Sequence, residues 1–200
     1  NGTTTQHQEA NLKLFLSKYD VQPQYVVHQY FGNDIRDYIK RIEVERSSLR
    51  TDLADVSELF SFADTYFFST EFISKYHSQL IATYEDKEIF EKHTSDLKNT
   101  HKLVYEKNGN VIFIVFPFLN NDEQIKVSGG AYIEKVKESF LHSCIKGDIF
   151  IDVSPLASTL NTNARVVNFM DGHPSPALHR MIGELLVKVI RGDGSEVVST

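Results

Sequence analysis

The feature that most constrains the fold is a set of three short apolar runs that alternate with long helical patterns. The runs lie at residues 25–31, 111–116 and 149–153. Their near-continuous apolar character is typical of parallel strands that are covered on both faces. Strands that alternate with helices along a chain predict a parallel sheet between two layers of helices. We therefore expect an α/β fold, built as a three-layer α/β/α sandwich.

The composition limits the class of protein. Two hundred residues with 41% hydrophobic content are enough for a sizeable core, and we interpret residues 1–200 as a single domain. The net charge of −6 and the scattered lysines and arginines argue against nucleic acid as a main partner. Cys144 is the single cysteine, which excludes an internal disulfide and a cysteine-based zinc site. The eight histidines show no paired ligand spacing, so we expect no metal site.

The covering helices are predicted from apolar residues at helical spacing. Two stretches at 120–130 and 154–167 lack this spacing and are interpreted as loops, the first with a glycine hinge. Cys144 falls at a core position of one predicted helix, where a buried cysteine is common. The predicted helices each carry one apolar face and lie around 12–19, at 89–106, at 131–144 and after 176.

An aromatic-rich stretch within about 55–105 is interpreted as a helical insertion. Aromatic residues concentrate at 59–84, but charged residues interrupt this stretch too often for a transmembrane helix. One interpretation is a helix that packs on the core. The alternative is a cap over the active site, whose aromatic side chains would contact an apolar acyl group.

The most informative motif is Asp171-Gly172-His173-Pro174, on a predicted loop directly before the last helix. Ser175 is a good N-cap for that helix, and Pro176 suits its first turn. A histidine tied to the start of a helix is held rigidly, as a general base must be. The alternative interpretation is a polar loop with a surface histidine.

A second motif follows the first predicted strand, where the chain turns through Gly32-Asn33-Asp34. Ligands of parallel sheets bind beyond the carboxyl ends of the strands. Asn33, Asp171 and His173 can therefore meet at one edge of the sheet. The alternative is that Asn33 and Asp34 only make an Asx turn, and we interpret Asp34 as support for the loop.

The order of these motifs resembles the SGNH (GDSL-like) hydrolase family over nearly the whole chain. Gly2-Thr3-Thr4-Thr5 is followed by a helix, an apolar strand that ends in Gly-Asn-Asp, and a late Asp-x-His-Pro. The family's second block is a glycine, its third is Gly-x-Asn-Asp, and its fifth carries the Asp and His of a triad. The resemblance implies a flavodoxin-like sandwich and a serine esterase or acyl hydrolase.

The resemblance also implies roles for four residues. His173 would be the general base, and Asp171 would orient it and stabilise the imidazolium. Asn33 would donate its side-chain amide, and Gly2 its backbone N–H, to the developing oxyanion. The expected substrate is an ester, either an acylated small molecule or an acylated carbohydrate, and such a site needs neither metal nor cofactor. The alternative for Gly2 is a flexible chain end.

The chain departs from the family pattern at three places. The Gly-Asp-Ser block that carries the nucleophile is not found, and we infer that an upstream segment with this serine and a strand is missing from the sequence. The usual Asp-x-x-His is shortened to Asp171-x-His173, with Met170 three residues before the histidine. Phe31 fills a position where the family usually has glycine.

Two other functions share these features. An O-acyltransferase that passes an acyl group to a carbohydrate hydroxyl uses the same constellation. A non-catalytic binding module with the same fold would have lost the serine. In each case, a missing upstream strand leaves the run at 25–31 with an open edge, which we expect to pair with the missing segment or with another chain.

Overall fold

A computed structural model of the chain describes residues 5–38, 74–168 and 171–192. Within these ranges, the central sheet contains three strands whose order is β1-β2-β3 and whose two pairings are both parallel. The predicted strands and their parallel arrangement are therefore confirmed. The strands are β1 (Tyr25–Phe31), β2 (Asn110–Phe116) and β3 (Ile149–Asp152).

The rest of the described chain is mostly helical. The helices are α1 (Thr5–Tyr19), α2 (Lys87–Tyr105), α3 (Asp122–Ser128), α4 (Glu134–Leu141), α5 (Ser154–Ser158), α6 (Thr162–Arg165) and α7 (Pro176–Arg191). Smaller elements are a 3-10 turn at Asp34–Tyr38, a helical segment at 74–85, a π-helical turn at Gly129–Ile133 and a hairpin of β4 (Val166–Asn168) and β5 (Asp171–Pro174). Within the described ranges, no helix is long and apolar enough to cross a bilayer.

Helices contribute to a core on each face of the sheet. Successive side chains of β2 point to opposite faces, so Phe113 and Ile114 belong to different cores. Phe113 packs in one cluster with residues of α2, α4 and the helical segment 74–85, including Phe140. Ile114 packs in the other cluster with residues of α3, α5 and α7, including Leu178. The sheet is therefore covered on both sides, as the apolar strands predicted.

The predicted loop at 120–130 is wrong, because most of it is helical. The Asn121 side chain accepts a hydrogen bond from the Gln124 backbone N–H at 2.8 Å and caps α3. The two glycines then continue the helical path, and Gly129 has helical φ and ψ angles of −51° and −64°. The path runs through the π-helical turn at Gly129–Ile133 into α4. Glycine disfavours a helix by only about 1 kcal/mol, and the packing of Ile125 and Tyr132 outweighs this cost.

The predicted loop at 154–167 is also wrong. It contains α5, which has Pro155 in its first turn, and α6, which is capped by the Asn161 side chain. Asp171–Pro174 is likewise not a loop but β5, which pairs with β4 in an antiparallel hairpin. These elements are three to five residues long. That length is too short for periodicity to reveal them.

Two further expectations concern helix ends and the aromatic stretch. The helix expected at 131–144 ends at Leu141, so Cys144 lies beyond it and is half-buried against the core. Residues 59–73 of the aromatic-rich stretch at 59–84 lie outside the described residues. In the described part, Leu80 and Tyr84 are buried in the core beside α2.

Candidate functional site

A cavity of about 820 Å³ opens along β1 and beyond the carboxyl ends of β1 and β2. This volume falls within the range of small-molecule sites. Its lining includes Asn33, Asp171 and His173. The structure thus brings together three of the four residues that the sequence singled out. The fourth, Gly2, lies outside the described residues.

Asp171 and His173 form a hydrogen-bonded pair at the mouth of the cavity. The His173 Nδ1–H donates to Asp171 Oδ1 at 2.5 Å, and the His173 backbone N–H donates to the same oxygen at 3.1 Å. The hydrogen bond from the His173 ring, then that from its backbone N–H, holds the pKa of Asp171 below its usual range. An ionised carboxylate can only accept, so Nδ1 carries the proton. The ring nitrogen Nε2 is then left with its lone pair available to take a proton.

The short hairpin and helix α7 fix the position of this pair. The Asn168 side chain accepts a hydrogen bond from the Asp171 backbone N–H at 3.0 Å. Ser175 Oγ caps α7 by accepting from the Leu178 backbone N–H at 3.1 Å, and it donates to the carbonyl of Ala164 at 2.5 Å. The predicted cap at Ser175 is therefore confirmed. His173 is held between a strand pairing on one side and a capped helix on the other.

Asn33 lies in the turn that follows β1, with its side chain exposed. Asp34 supports this turn because its Oδ2 accepts the Phe31 backbone N–H at 2.9 Å. Gly32 is required by space, since a Cβ atom there would lie 2.6 Å from the Phe118 ring and 2.8 Å from the Tyr132 ring. The turn therefore presents Asn33 outward while its inner side is packed against two aromatic rings.

A buried polar network supports the inner side of the same turn. The Tyr84 hydroxyl donates to the carbonyl of Gly32 at 3.0 Å. Tyr30 Oη lies 2.6 Å from Tyr84 Oη and 2.7 Å from His93 Nε2. Burial lowers the pKa of His93 to about 3, so this ring is neutral at ordinary pH. The network links α2 to the turn that carries Asn33.

Along β1, the cavity is bounded by two buried histidines, His28 and His101, that are hydrogen-bonded to each other. His28 Nδ1 lies 3.0 Å from His101 Nε2, and His28 Nε2 lies 2.7 Å from Gln8 Oε1. Burial, followed by the proximity of His101, lowers the pKa of His28 to about 3, and burial lowers that of His101 to about 4. These rings are neutral and bonded to each other, so neither is poised as a general base near neutral pH.

The sequence does not single out several residues that line the cavity, among them His77, Phe118 and Asn120. The His77 and Phe118 rings are stacked with centroids 3.8 Å apart. Asn33 lies two residues beyond the end of β1 and Asn120 four residues beyond the end of β2, so the signal that could identify both is their position after the carboxyl end of a parallel strand. Asn120 has no motif of its own, because it begins the stretch at 120–130 that the sequence predicts as a loop.

The described lining contains neither serine nor cysteine. Its hydroxyl groups come from Tyr76 and Thr100, and Thr100 Oγ1 donates to the carbonyl of Asp96. Across the ranges that the structure describes, no three His, Cys, Asp or Glu side chains form a group that could hold a metal ion. The described lining thus offers an oriented imidazole and a side-chain amide, without a serine or cysteine nucleophile.

Comparisons with protein-family models, with curated proteins and with solved structures gave no match. The chemistry of the chain is therefore inferred from the side chains around the cavity and from the motifs in the sequence.

Proposed function

We propose that this chain belongs to a serine esterase of the SGNH type, with its sheet forming part of a flavodoxin-like α/β/α sandwich. The observation that carries the proposal is the Asp171–His173 pair, which borders the same cavity as Asn33. An acid, an oriented imidazole and a side-chain amide around one cavity are what acyl transfer needs beside a nucleophile. The motif order in the sequence supports the same function.

In the proposed reaction, His173 Nε2 removes the proton from a serine hydroxyl as its oxygen attacks the ester carbonyl carbon. Asp171 stabilises the imidazolium that forms. The Asn33 amide and the Gly2 backbone N–H donate to the oxyanion of the tetrahedral intermediate. His173 then gives its proton to the leaving alcohol oxygen as the C–O bond breaks. Water, activated by the same histidine, hydrolyses the acyl-enzyme in the second half of the cycle.

We propose that the serine is supplied by a segment outside these 200 residues. The sequence supports this proposal because it contains no Gly-Asp-Ser block, and the described cavity lining contains neither serine nor cysteine. The same observation favours a second candidate function, a non-catalytic binding module with this fold. An O-acyltransferase would use the same groups, with a carbohydrate hydroxyl in place of water in the second step.

The deciding experiment is active-site labelling of the full-length protein with a fluorophosphonate, followed by mass spectrometry of the labelled peptide. The esterase proposal expects one labelled serine outside residues 1–200 and hydrolysis of p-nitrophenyl acetate. Labelling should fall to background in a His173→Ala variant that remains folded. A folded protein that shows neither labelling nor hydrolysis would instead support the binding module. Acetyl transfer to an added sugar in preference to water would support the acyltransferase.

A further inference from the structure

Asn120 lies directly against the backbone between the acid and the base. A Cβ atom placed on Gly172 would lie 3.0 Å from Asn120 Oδ1 and 3.1 Å from Asn120 Nδ2. Asn120 also lines the cavity, together with His173. Its amide is therefore next to the hairpin residue that separates Asp171 from His173.

The loop that carries Asn120 is held from both sides. Arg165, which is almost fully buried, donates from Nη1 to the carbonyl of Leu119 at 3.5 Å and from Nη2 to Asp122 Oδ1 at 2.6 Å. The neighbouring Asn121 side chain is engaged as the cap of α3. The position of Asn120 is thus fixed by its neighbours and by the same Arg165 that precedes the hairpin.

The amide of Asn120 itself makes no hydrogen bond to any residue within the described ranges. It is only half-exposed, at the wall of a cavity. Half-buried amides normally find a partner in protein or water. An unpaired amide on a fixed loop beside an acid–base pair is well placed to bind a ligand.

The location of Asn120 determines which part of an ester it would contact. Asn33, on the turn after β1, is the proposed oxyanion donor. Asn120 lies against Gly172, the hairpin residue directly before His173, and the histidine is the group that protonates the leaving alcohol. A donor beside the histidine therefore faces the alcohol part of the substrate.

We infer that Asn120 is a specificity residue that hydrogen-bonds a hydroxyl group on the alcohol part of the ester. The protein would thereby favour O-acyl esters of polyhydroxylated alcohols, such as sugars, over esters of simple alkyl alcohols. This inference rests on the proposed esterase function. A site that loses a hydrogen bond to a substrate hydroxyl discriminates less against analogues that lack it.

The test compares two acetate esters, 6-O-acetylglucose and ethyl acetate, in the full-length protein. Asn120→Ala should lower kcat/KM for 6-O-acetylglucose by about tenfold, the effect of one neutral hydrogen bond, and leave that for ethyl acetate unchanged. Asn33→Ala should lower kcat for both esters alike, because the oxyanion is common to them. Asn121→Ala is the matched control: it removes a helix cap from the adjacent asparagine and should leave the ratio of the two kcat/KM values unchanged.

Equal losses on both esters in Asn120→Ala would overturn the inference, since they would indicate that Asn120 only shapes the hairpin. No loss on either ester would overturn it as well. Asn120→Ser, with a shorter polar side chain, should show the same selective loss and replaces the alanine variant if that variant unfolds. If the unmutated protein hydrolyses neither ester, the proposed function fails first and the inference fails with it.

Discussion

At the scale of single residues, the two-residue spacing of Asp171 and His173 is explained by the strand on which they lie. Side chains at i and i+2 of an extended strand project from the same face. The shortened Asp-x-His motif therefore brings the carboxylate to 2.5 Å from the imidazole on β5. On a helix the equivalent spacing would be three or four residues. The two-residue spacing thus has a local geometric reason.

This pairing leads to a prediction for the full-length protein. His173→Ala and Asp171→Asn should each reduce kcat for p-nitrophenyl acetate by about 10³-fold or more, because the first removes the base and the second its oriented tautomer. Both side chains are substantially exposed, so urea unfolding should show little loss of stability. If Asp171→Asn leaves kcat unchanged while His173→Ala abolishes it, the orienting acid is a different residue.

A second prediction concerns Gly32. Gly32→Ala should destabilise the protein by about 1–3 kcal/mol, because its Cβ would lie 2.6 Å from the Phe118 ring. The matched control is Gly183→Ala in α7, where a Cβ would meet nothing within 4 Å. That change should be neutral or should stabilise by up to about 1 kcal/mol. Equal urea midpoints for the two variants would contradict the crowding at Gly32.

At the scale of secondary structure, the sequence predicts the elements with a clear apolar pattern and not the short helices α3 and α6, which begin at a capping asparagine. The strands and α2 were long enough for apolar spacing to show. The helices α3 and α6 begin at Asn121 and Asn161, whose capping hydrogen bonds are formed only in the folded chain. Asparagine is also a typical turn residue, so the sequence around Asn121 and Asn161 predicts loops and not helix starts.

The candidate site is predictable only where its residues belong to a local sequence motif. Asn33, Asp171 and His173 are carried by local motifs, and the parallel sheet places the ends of their elements together. Asn120 carries no motif. Its role depends on contact with Gly172, 52 positions later in the numbering. Long-range packing of this kind has no local signal that a single sequence could supply.

The outer edge of β1 gives a prediction at this scale, since β1 pairs only with β2 among the described strands. A polypeptide of residues 1–200 alone should self-associate along that edge or be poorly soluble. Val27 lies on β1 and is 41% exposed, so a lysine there would place a charge on this strand. Val27→Lys should therefore reduce the association that light scattering measures. Val187→Lys in α7, at a site 47% exposed, is the control and should leave association unchanged. A monodisperse monomer of the unmutated polypeptide would contradict this expectation.

At the scale of the whole molecule, burial of neutral histidines makes stability depend on pH. The pKa values of His28, His93 and His101 are lowered to about 3, 3 and 4, whereas an unfolded histidine titrates near 6.5. Below pH 6.5 the unfolded chain therefore binds more protons than the folded one, and acid favours unfolding. The stability is complete above about pH 6.5 and is lost as the pH falls toward 3 to 4.

We therefore predict a marked loss of stability in mild acid. Each of the three histidines should cost up to about 1.4 kcal/mol of unfolding free energy per pH unit below about pH 6. The measurement is the urea midpoint of the full-length protein at pH 7.5, 6.0 and 5.0. Equal midpoints at pH 7.5 and 5.0 would show that these rings are not buried in the neutral form.

The buried network behind Asn33 has one further consequence, which concerns the direction of its protons. The Gly32 carbonyl can only accept, so the Tyr84 hydroxyl proton points toward it, the Tyr30 proton points toward Tyr84, and His93 must donate from Nε2. Every dipole in the chain is thus aligned, and aligned hydrogen bonds polarise one another. The last member is a peptide group whose carbonyl belongs to Gly32 and whose N–H belongs to Asn33. A histidine on α2 thereby increases the polarity of the backbone at the residue that borders the cavity.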